Sequence, residues 1–401
     1  YEKYAEEIGG AGDVIKIYNG YYAPDQALAD NTADELLPYA AYLGADGSIQ
    51  DTMFDAFAFV PCHGDYPSGG RLVKTNGKPG AVMSDWLLYL ENTFAEGINL
   101  DALDKTVAHV NEQLGRDTPC KVFLTMPYPL TQDKPFGDID GDGREEYTRT
   151  NDERLAVLAW YESECARRFD EAGYENLTLV GFYWYAELVN YAASDFGEAL
   201  VQSFNAYVHS KDLGTMWIPY YCAPGMERAV ELGFDVACVQ NGYAFPKEDS
   251  ENGLVQPGVI ADSLDIAYRY GLGAEIELQL VEDYFDRYSE YISGNYQAGV
   301  MTDSFTAFYQ GGGPGALYTC AFGNNKQRAV YDMTYMYIKD TYEEFAPVIE
   351  QDGPVYFLKD STKNSGTLVV TDGDTPRTEL TIAYLEEPSH GKLSIDADGY
   401  F

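Results

Sequence analysis

Basic residues are scarce in this 401-residue sequence: 26 Lys and Arg stand against 65 Asp and Glu, a formal net charge of −39. Such a surface repels phosphate, which argues against nucleic acid or an anionic membrane as a partner. Histidine is scarcer still, with only His63, His109, His209 and His390. HExxH is missing, so a histidine-built metal hydrolase is not expected. GxSxG, the P-loop and GxGxxG are also absent, which disfavours a serine hydrolase, a nucleotide-phosphate site and an open dinucleotide-binding sheet. The cysteines (Cys62, Cys120, Cys165, Cys222, Cys238 and Cys320) make no CxxC pair and no zinc spacing. They read as small buried thiols rather than a disulfide framework. No apolar run approaches the roughly 18 residues of a membrane span, so no membrane insertion is expected, and no signal peptide is recognisable.

What the chain does have is apolar and aromatic mass. Hydrophobic residues make up 45%, enough for a large core, and 35 Tyr, 19 Phe and 4 Trp give a marked aromatic excess. Tyrosine offers a flat apolar face with a polar tip, a match for the C–H faces and hydroxyl rims of sugars. The acidic balance suits a neutral or basic ligand, or calcium, and a secreted or cell-surface protein kept soluble by its charge.

Eight strand-like runs alternate with helical patterns. They are Asp13–Tyr22, Met53–Cys62, Lys121–Pro129, Leu177–Glu187, Thr215–Tyr221, Phe234–Asn241, Ala274–Leu280 and Ala298–Phe305. Apolar residues recur at helical spacing over Leu155–Ala172, Ala199–His209, Met226–Leu232, Ser263–Tyr270, Tyr284–Ile292 and Gln327–Phe345. Short strands alternating with helices imply parallel pairing, and eight of them imply a closed ring. The expected fold is an α/β (β/α)8 TIM barrel over residues 1–345, followed by a small all-β, sandwich-like module over 346–401. That tail has turn signals such as Asp372-Gly373 and no helical pattern. Because the sequence stops inside the tail's pattern, a monomer within a larger multidomain chain is expected.

In such barrels the reactive groups lie at the C-terminal ends of the strands. Alternation puts Gly181, Tyr183, Tyr185 and Glu187 on one face of the fourth run, and Glu275, Glu277 and Gln279 on one face of the seventh. An unpaired carboxylate inside a barrel is costly, so acids on opposed strands need a reason. Glycoside hydrolysis supplies one, with a carboxylic acid protonating the leaving oxygen while a second carboxylate attacks the anomeric carbon or activates water. Glu187 is the expected acid/base and Glu277 the expected nucleophile; Glu275, an alternative for that role, is otherwise expected, with Tyr185, to bind substrate. The competing reading pairs Glu275 or Glu277 with a barrel lysine or arginine. Other strand ends supply groups for a carbohydrate: His63 and Asp65 after the second, Tyr128 after the third, Tyr220 and Tyr221 after the fifth. Gln240, Asn241 and Tyr243 follow the sixth, and Asp303 lies on the eighth. A non-catalytic carbohydrate-binding or adhesin domain, or a structural surface module, is the rival expectation. No catalytic cofactor is expected.

A local signal sits after the third run. Asp138, Asp140 and Asp142, followed by Gly143, match the start of a calcium loop, with Arg144 offering its carbonyl. Arg149 stands where an EF-hand needs its bidentate Glu, so Glu146 or Asp152 would have to complete a structural Ca²⁺ site.

The blocks DELLPYAAYLGADGS, MFDAFAFV, LVGFYWYAE, MWIPYY, LGFDVACVQNGYAF, GAEIELQ and RAVYDMTYMYIKDTY resemble, in order, a bacterial domain of unknown function, family 4855, over roughly residues 34–342. Asn241-Gly242 departs from that pattern, which has a proline and an asparagine before the tyrosine. More widely, the chain resembles retaining TIM-barrel glycosidases, whose acid/base ends strand four and whose nucleophile ends strand seven. That resemblance implies those roles for Glu187 and Glu277, although Ala186 replaces the usual Asn before the acid/base. The tail resembles bacterial cadherin-like or Ig-like repeats.

Overall fold

A computed structural model describes residues 2–20, 30–73, 77–190, 195, 197–245, 258–279, 285–344 and 348–349, with 367, 370–371, 380 and 394. The chain divides into two compact units, Tyr1–Thr341 and Tyr342–Phe401. The first unit is a (β/α)8 barrel. Its ring consists of β1 (Asp13–Asn19), β4 (Ala56–Pro61), β5 (Cys120–Met126), β6 (Leu177–Trp184), β7 (Gly214–Trp217), β8 (Val236–Val239), β9 (Gly273–Glu277) and β10 (Thr306–Tyr309). All neighbours are parallel, and β1 pairs with both β4 and β10, so the first strand meets the last. Between β1 and β4 a small hairpin of β2 (Ala41–Leu43) and β3 (Ile49–Thr52) projects from the ring. The barrel strands are almost wholly buried and rich in Val, Ile, Phe and Tyr, as strands covered on both faces must be.

Helices α1 (Ala33–Ala40), α2 (Met83–Thr93), α3 (Asn99–Leu114), α4 (Asn151–Ala172) and α5 (Glu198–His209) surround the first half of the barrel. They are followed by α6 (Val259–Tyr270), α7 (Phe285–Gln297), α8 (Val300–Asp303), α9 (Ala316–Ala321) and α10 (Asn325–Ile338). Local sequence explains their limits. Thr150 accepts from the Glu153 N–H while Glu153 bonds back, a capping box that starts α4, and Gly173 at φ 62 ends it. Val157, Leu158, Tyr161 and Cys165 of α4 are buried at helical spacing. Burying each large side chain is worth about 1.5–3 kcal/mol.

Two sequence expectations need correction. Ala298–Phe305 is not a strand: Gly299, at φ 76, opens the one-turn helix α8, and the last strand is the next segment, Thr306–Tyr309. Asp303 therefore belongs to α8, before the strand rather than at its far end. Met226–Leu232 is not an α-helix either, since only a three-residue 3₁₀ turn, Met226–Arg228, forms there after Gly225. Tyr21, Tyr22 and Leu280, at the ends of expected strands, lie outside the described residues. In the second unit β11 (Val348–Ile349) and β12 (Val370–Thr371) pair antiparallel. The remainder of the expected tail module, with its Ig-like resemblance, lies outside the described residues.

Register fixes which side chains face inward. Lys16 aligns with Ala58, Ala58 with Phe123, and Phe123 with Gly181, after an irregularity at Val122/Phe123. A Cβ on Gly181 would stand 2.3 Å from the Gly214 carbonyl oxygen, so this level of the barrel admits no side chain there. Below, at the N-terminal end, Lys3 forms a plug. Its Nζ lies 3.1 Å from Asp13 Oδ2 and 2.8 Å from Asp340 Oδ1, and donates to the Met301 carbonyl at 2.6 Å.

Candidate active site at the C-terminal mouth of the barrel

A cavity of about 550 Å³ opens at the C-terminal ends of the strands. Its lining comes from separate strand ends: Tyr18 on β1, Cys62 and His63 after β4, Glu187 after β6, Gln240 after β8, and Tyr309 ending β10. Phe245, Gly312 and Gly313 complete it. This is the face where barrel loops assemble reactive groups. Tyr309 anchors an aromatic wall, edge-on to Tyr18 at 5.8 Å and to Phe245 at 5.2 Å.

Glu187 stands at the rim. Its side chain reaches solvent, yet protein packs around it on most sides. That burial raises its carboxyl above the usual range, with Glu275 adding to the rise and the Lys16 ammonium opposing it. His63 shares the rim; burial lowers its pKa, helped by Arg71 and Lys16, which favours the neutral imidazole. Its ring lies 5.8 Å from that of Tyr185.

Beneath the wall the seventh barrel strand holds its two glutamates differently. Glu275 is fully buried and in direct contact with the Lys16 ammonium. The expectation that it binds substrate is corrected: its partner is a barrel lysine, since a buried carboxylate needs a counter-charge. Burial penalises either charge alone, lowering the pKa of Lys16 and raising that of Glu275; at Lys16 the adjacent Glu275 charge outweighs burial, and the ammonium's pKa stands above its ordinary value. Glu277, one turn of the pleat higher, is 1% exposed and forms no ion pair with a lysine or arginine among the described residues. Its Oε2 accepts from the Gly242 N–H at 2.8 Å and from the Tyr291 hydroxyl. Burial, with Glu275 adding, pushes its carboxyl up to about 8 against the pull of those two donors. Glu277 is the register partner of Tyr309 on β10, so it lies beside the wall although it does not itself line the cavity.

The other expected binding residues divide between rim and scaffold. Tyr220 is 38% exposed, at a bridge to Gln240. Tyr185 is buried and donates to the Pro61 carbonyl at 2.8 Å, closing the gap between β6 and β4. Tyr128 is corrected to a structural role: it is buried, its hydroxyl accepts from Arg154, and that guanidinium lies over its ring at 5.0 Å. Tyr221 and Tyr243 face helices rather than the cavity, donating to Asp262 of α6 and, at 2.6 Å, to Glu290 of α7. Asn241 organises the loop after β8, with Oδ1 accepting from the Tyr243 N–H at 2.9 Å and the Tyr291 hydroxyl at 2.5 Å. Asp303 is corrected too. It borders a groove between α6 and α7, and its carbonyl accepts from the Lys3 N–H at the opposite end of the barrel. Asp65 is held by Arg71 at 2.7 Å and by Lys78. Tyr18, Lys16, Tyr291 and Tyr309 were not singled out from sequence. Lys16 carried a signal, a lone charge inside the apolar run VIKIY.

In the loop before α4, the side chains of Asp138, Asp140 and Glu146 bring one oxygen each within 4.8 Å of the others. Asp138 also accepts from the N–H groups of Gly141 at 2.7 Å and Gly143 at 2.9 Å, which curls the loop around it. Asp142 and Arg144 fall outside that trio: Asp142 instead accepts from the Arg144 N–H at 2.8 Å. Asp152 lies in the first turn of α4.

A family model, the domain of unknown function DUF4855, matches residues 13–336. The chain belongs to this family. No curated protein matches this DUF4855 chain. Among solved structures it is similar to the catalytic domain of a family GH18 chitinase from the fern Peteris ryukyuensis, at 10% identity and a TM-score of 0.39, covering 81% of this chain and 99% of that one. It is also similar to a noncanonic maltogenic α-amylase, AmyB, from Thermotoga neapolitana (12% identity, TM-score 0.41, 84% and 79% covered). A third is malate synthase from Haloferax volcanii (11% identity, TM-score 0.37, 88% and 77% covered). None of these likenesses assigns a reaction to the DUF4855 barrel.

Proposed function

We propose that this protein is a glycoside hydrolase acting on a neutral or basic poly- or oligosaccharide, with Glu187 as acid/base and Glu277 as nucleophile. One observation carries the reading: a carboxyl with a raised pKa, Glu187, stands at the rim of an aromatic-walled cavity at the mouth of the barrel. Glu187 gives its proton to the glycosidic oxygen as that C–O bond breaks, and Glu277 attacks the anomeric carbon to form a glycosyl ester. Glu187, now ionised, takes a proton from water, whose oxygen attacks the same carbon and releases Glu277. The Gly242 and Tyr291 donors hold Glu277 in place and favour its ionised form. Tyr18, Phe245 and Tyr309 provide apolar faces for sugar rings, while Gln240 and His63 provide hydrogen bonds.

The acidic surface favours a secreted or cell-surface location and disfavours anionic glycans. Among the described residues no helix is long and apolar enough to cross a membrane. The convergence of Asp138, Asp140 and Glu146 supports a structural Ca²⁺ in the loop before α4. A second reading, a carbohydrate-binding domain without turnover, is favoured by the near-complete burial of Glu277.

Screening against plant, host and microbial polysaccharides, with Glu187→Gln and Glu277→Gln, separates the two. An enzyme loses turnover by several orders of magnitude in either variant and still binds glycan. For Glu187→Gln, substrates with strongly acidic leaving groups recover most of the rate, because they need no proton. Binding without turnover in the unmodified protein refutes the hydrolase reading. Retention at the anomeric carbon, followed by NMR of the first-formed product, distinguishes nucleophilic attack by Glu277 from activation of water.

A further inference from the structure

Lys16 lies on β1 and Glu275 on β9, and these strands are not neighbours: β10 runs between them. The ammonium of Lys16 reaches across the intervening strand, 4.9 Å from the centre of the Tyr309 ring, to touch Glu275. Both side chains are almost wholly buried, at 5% and 0% exposure. The ring they pass is the aromatic wall of the cavity, and Glu277 stands beside it in register. We propose that Lys16 and Glu275 are positioning residues that act as one electrically neutral unit beneath the cavity, setting the charge that Glu187 and Glu277 experience. This rests on the reading of Glu187 and Glu277 as the working carboxyls.

The surrounding groups leave few other sources of charge. The hydroxyls of Tyr18, Tyr183 and Tyr309 and the thiol of Cys238 are all pushed up by burial and stay neutral. Tyr291, against Glu277 from α7, is likewise raised by burial. His63 is pushed down and favours its neutral form. Among the described residues, what remains close by is one ammonium, Lys16, and the carboxyls of Glu187, Glu275 and Glu277, with Arg71 held by Asp65. The charges of the Lys16–Glu275 pair reach both working carboxyls: Lys16 lowers and Glu275 raises the pKa of Glu187 and of Glu277 alike, so the two fields offset each other at each site.

Cutting the pair open exposes its field. In Glu275→Gln the buried ammonium loses its counter-charge, and the nearest titrating carboxyls ionise more readily to replace it. The titration midpoints of Glu187 and Glu277 are expected to fall by about one unit or more. In Lys16→Met/Glu275→Gln both charges vanish, and the midpoints return to within about half a unit of the unmodified protein. Replacing a buried pair by neutral groups usually preserves folding, so the double variant serves even if the single one does not fold. The readout is carboxyl titration of ¹³C-glutamate-labelled full chain, with Glu187→Gln and Glu277→Gln used to assign the two signals. Unmoved or raised midpoints in Glu275→Gln overturn the inference, as does a shift beyond about one unit in the double variant. Titration needs no substrate. Shifted midpoints in a protein that cleaves no glycan would sink the hydrolase reading alone, and turnover with unmoved midpoints would sink this inference alone.

Discussion

The Tyr291 hydroxyl touches Glu277 Oε2 while also lying 2.5 Å from Asn241 Oδ1, so one phenolic proton faces two acceptors. When Glu277 is ionised that proton is drawn to the carboxylate; when Glu277 carries its own proton, the phenol is free to serve Asn241. Tyr291→Phe removes the donor that favours the ionised form. Losing a hydrogen bond to a charged acceptor costs about 1.5–3 kcal/mol, so the Glu277 midpoint should rise above its value of about 8 by one to two units, roughly. The acidic limb of kcat/KM against pH then moves upward by the same amount. An unchanged profile in a folded variant would show that Tyr291 does not govern this carboxyl.

Tyr309 should matter to ligands through its ring rather than its hydroxyl. Tyr309→Phe is expected to change glycan affinity less than about twofold, whereas Tyr309→Ala weakens it about tenfold by removing the wall shared with Tyr18 and Phe245. Calorimetric titration with whichever oligosaccharide binds the unmodified protein measures both. Equal losses in the two variants would mean that the hydroxyl, and not the face, makes the contact.

Lys3→Met should be the costliest single change at the N-terminal end of the barrel. It strands Asp13, 3% exposed, without its cation, a loss of about 3–5 kcal/mol by comparison with other broken buried pairs. The sign of the pH dependence follows from Asp13. Burial raises its carboxyl to about 8 even with Lys3 present, while the unfolded chain ionises in the ordinary range near 4, roughly. Between those values the unfolded state holds fewer protons, so the stability of the folded state declines as pH rises. The deficit of Lys3→Met should therefore be larger at pH 8 than at pH 5, roughly, by urea denaturation.

Calcium should raise the thermal midpoint by a few degrees when present at about a hundredfold excess over its dissociation constant. Asp138→Asn should abolish most of that gain, because Asp138 both joins the carboxylate trio and curls the loop. A midpoint insensitive to calcium and to chelator would leave the trio as an internally hydrogen-bonded turn.

Much of the ring was legible because barrel strands are short, buried on both faces and separated by amphipathic helices. The alternation through Tyr183, Tyr185 and Glu187 could be followed to the rim, and register puts Glu275 and Glu277 on the inner face. The last strand was misplaced because Val300 and Met301 give α8 the apolar look of a strand, and one helical turn is too short to show a period. That displacement hid Tyr309, which ends the true strand. Tyr128 and Tyr243 had the right positions near strand ends but the wrong partners, since neighbouring helices supply Arg154 and Glu290. Tyr291 gave no signal at all: it is one tyrosine of 35, on the helix that follows the strand of the carboxylate it serves.

The pairing of β1 with β10 has a consequence for how this protein is made. As the polypeptide leaves the ribosome, Lys16 emerges well before Glu275 does. Until then its ammonium has no mate inside the ring and must stay in water. The nascent amino-terminal half cannot adopt its final interior, and any product cut short before Thr306 would carry two raw sheet borders open to other chains.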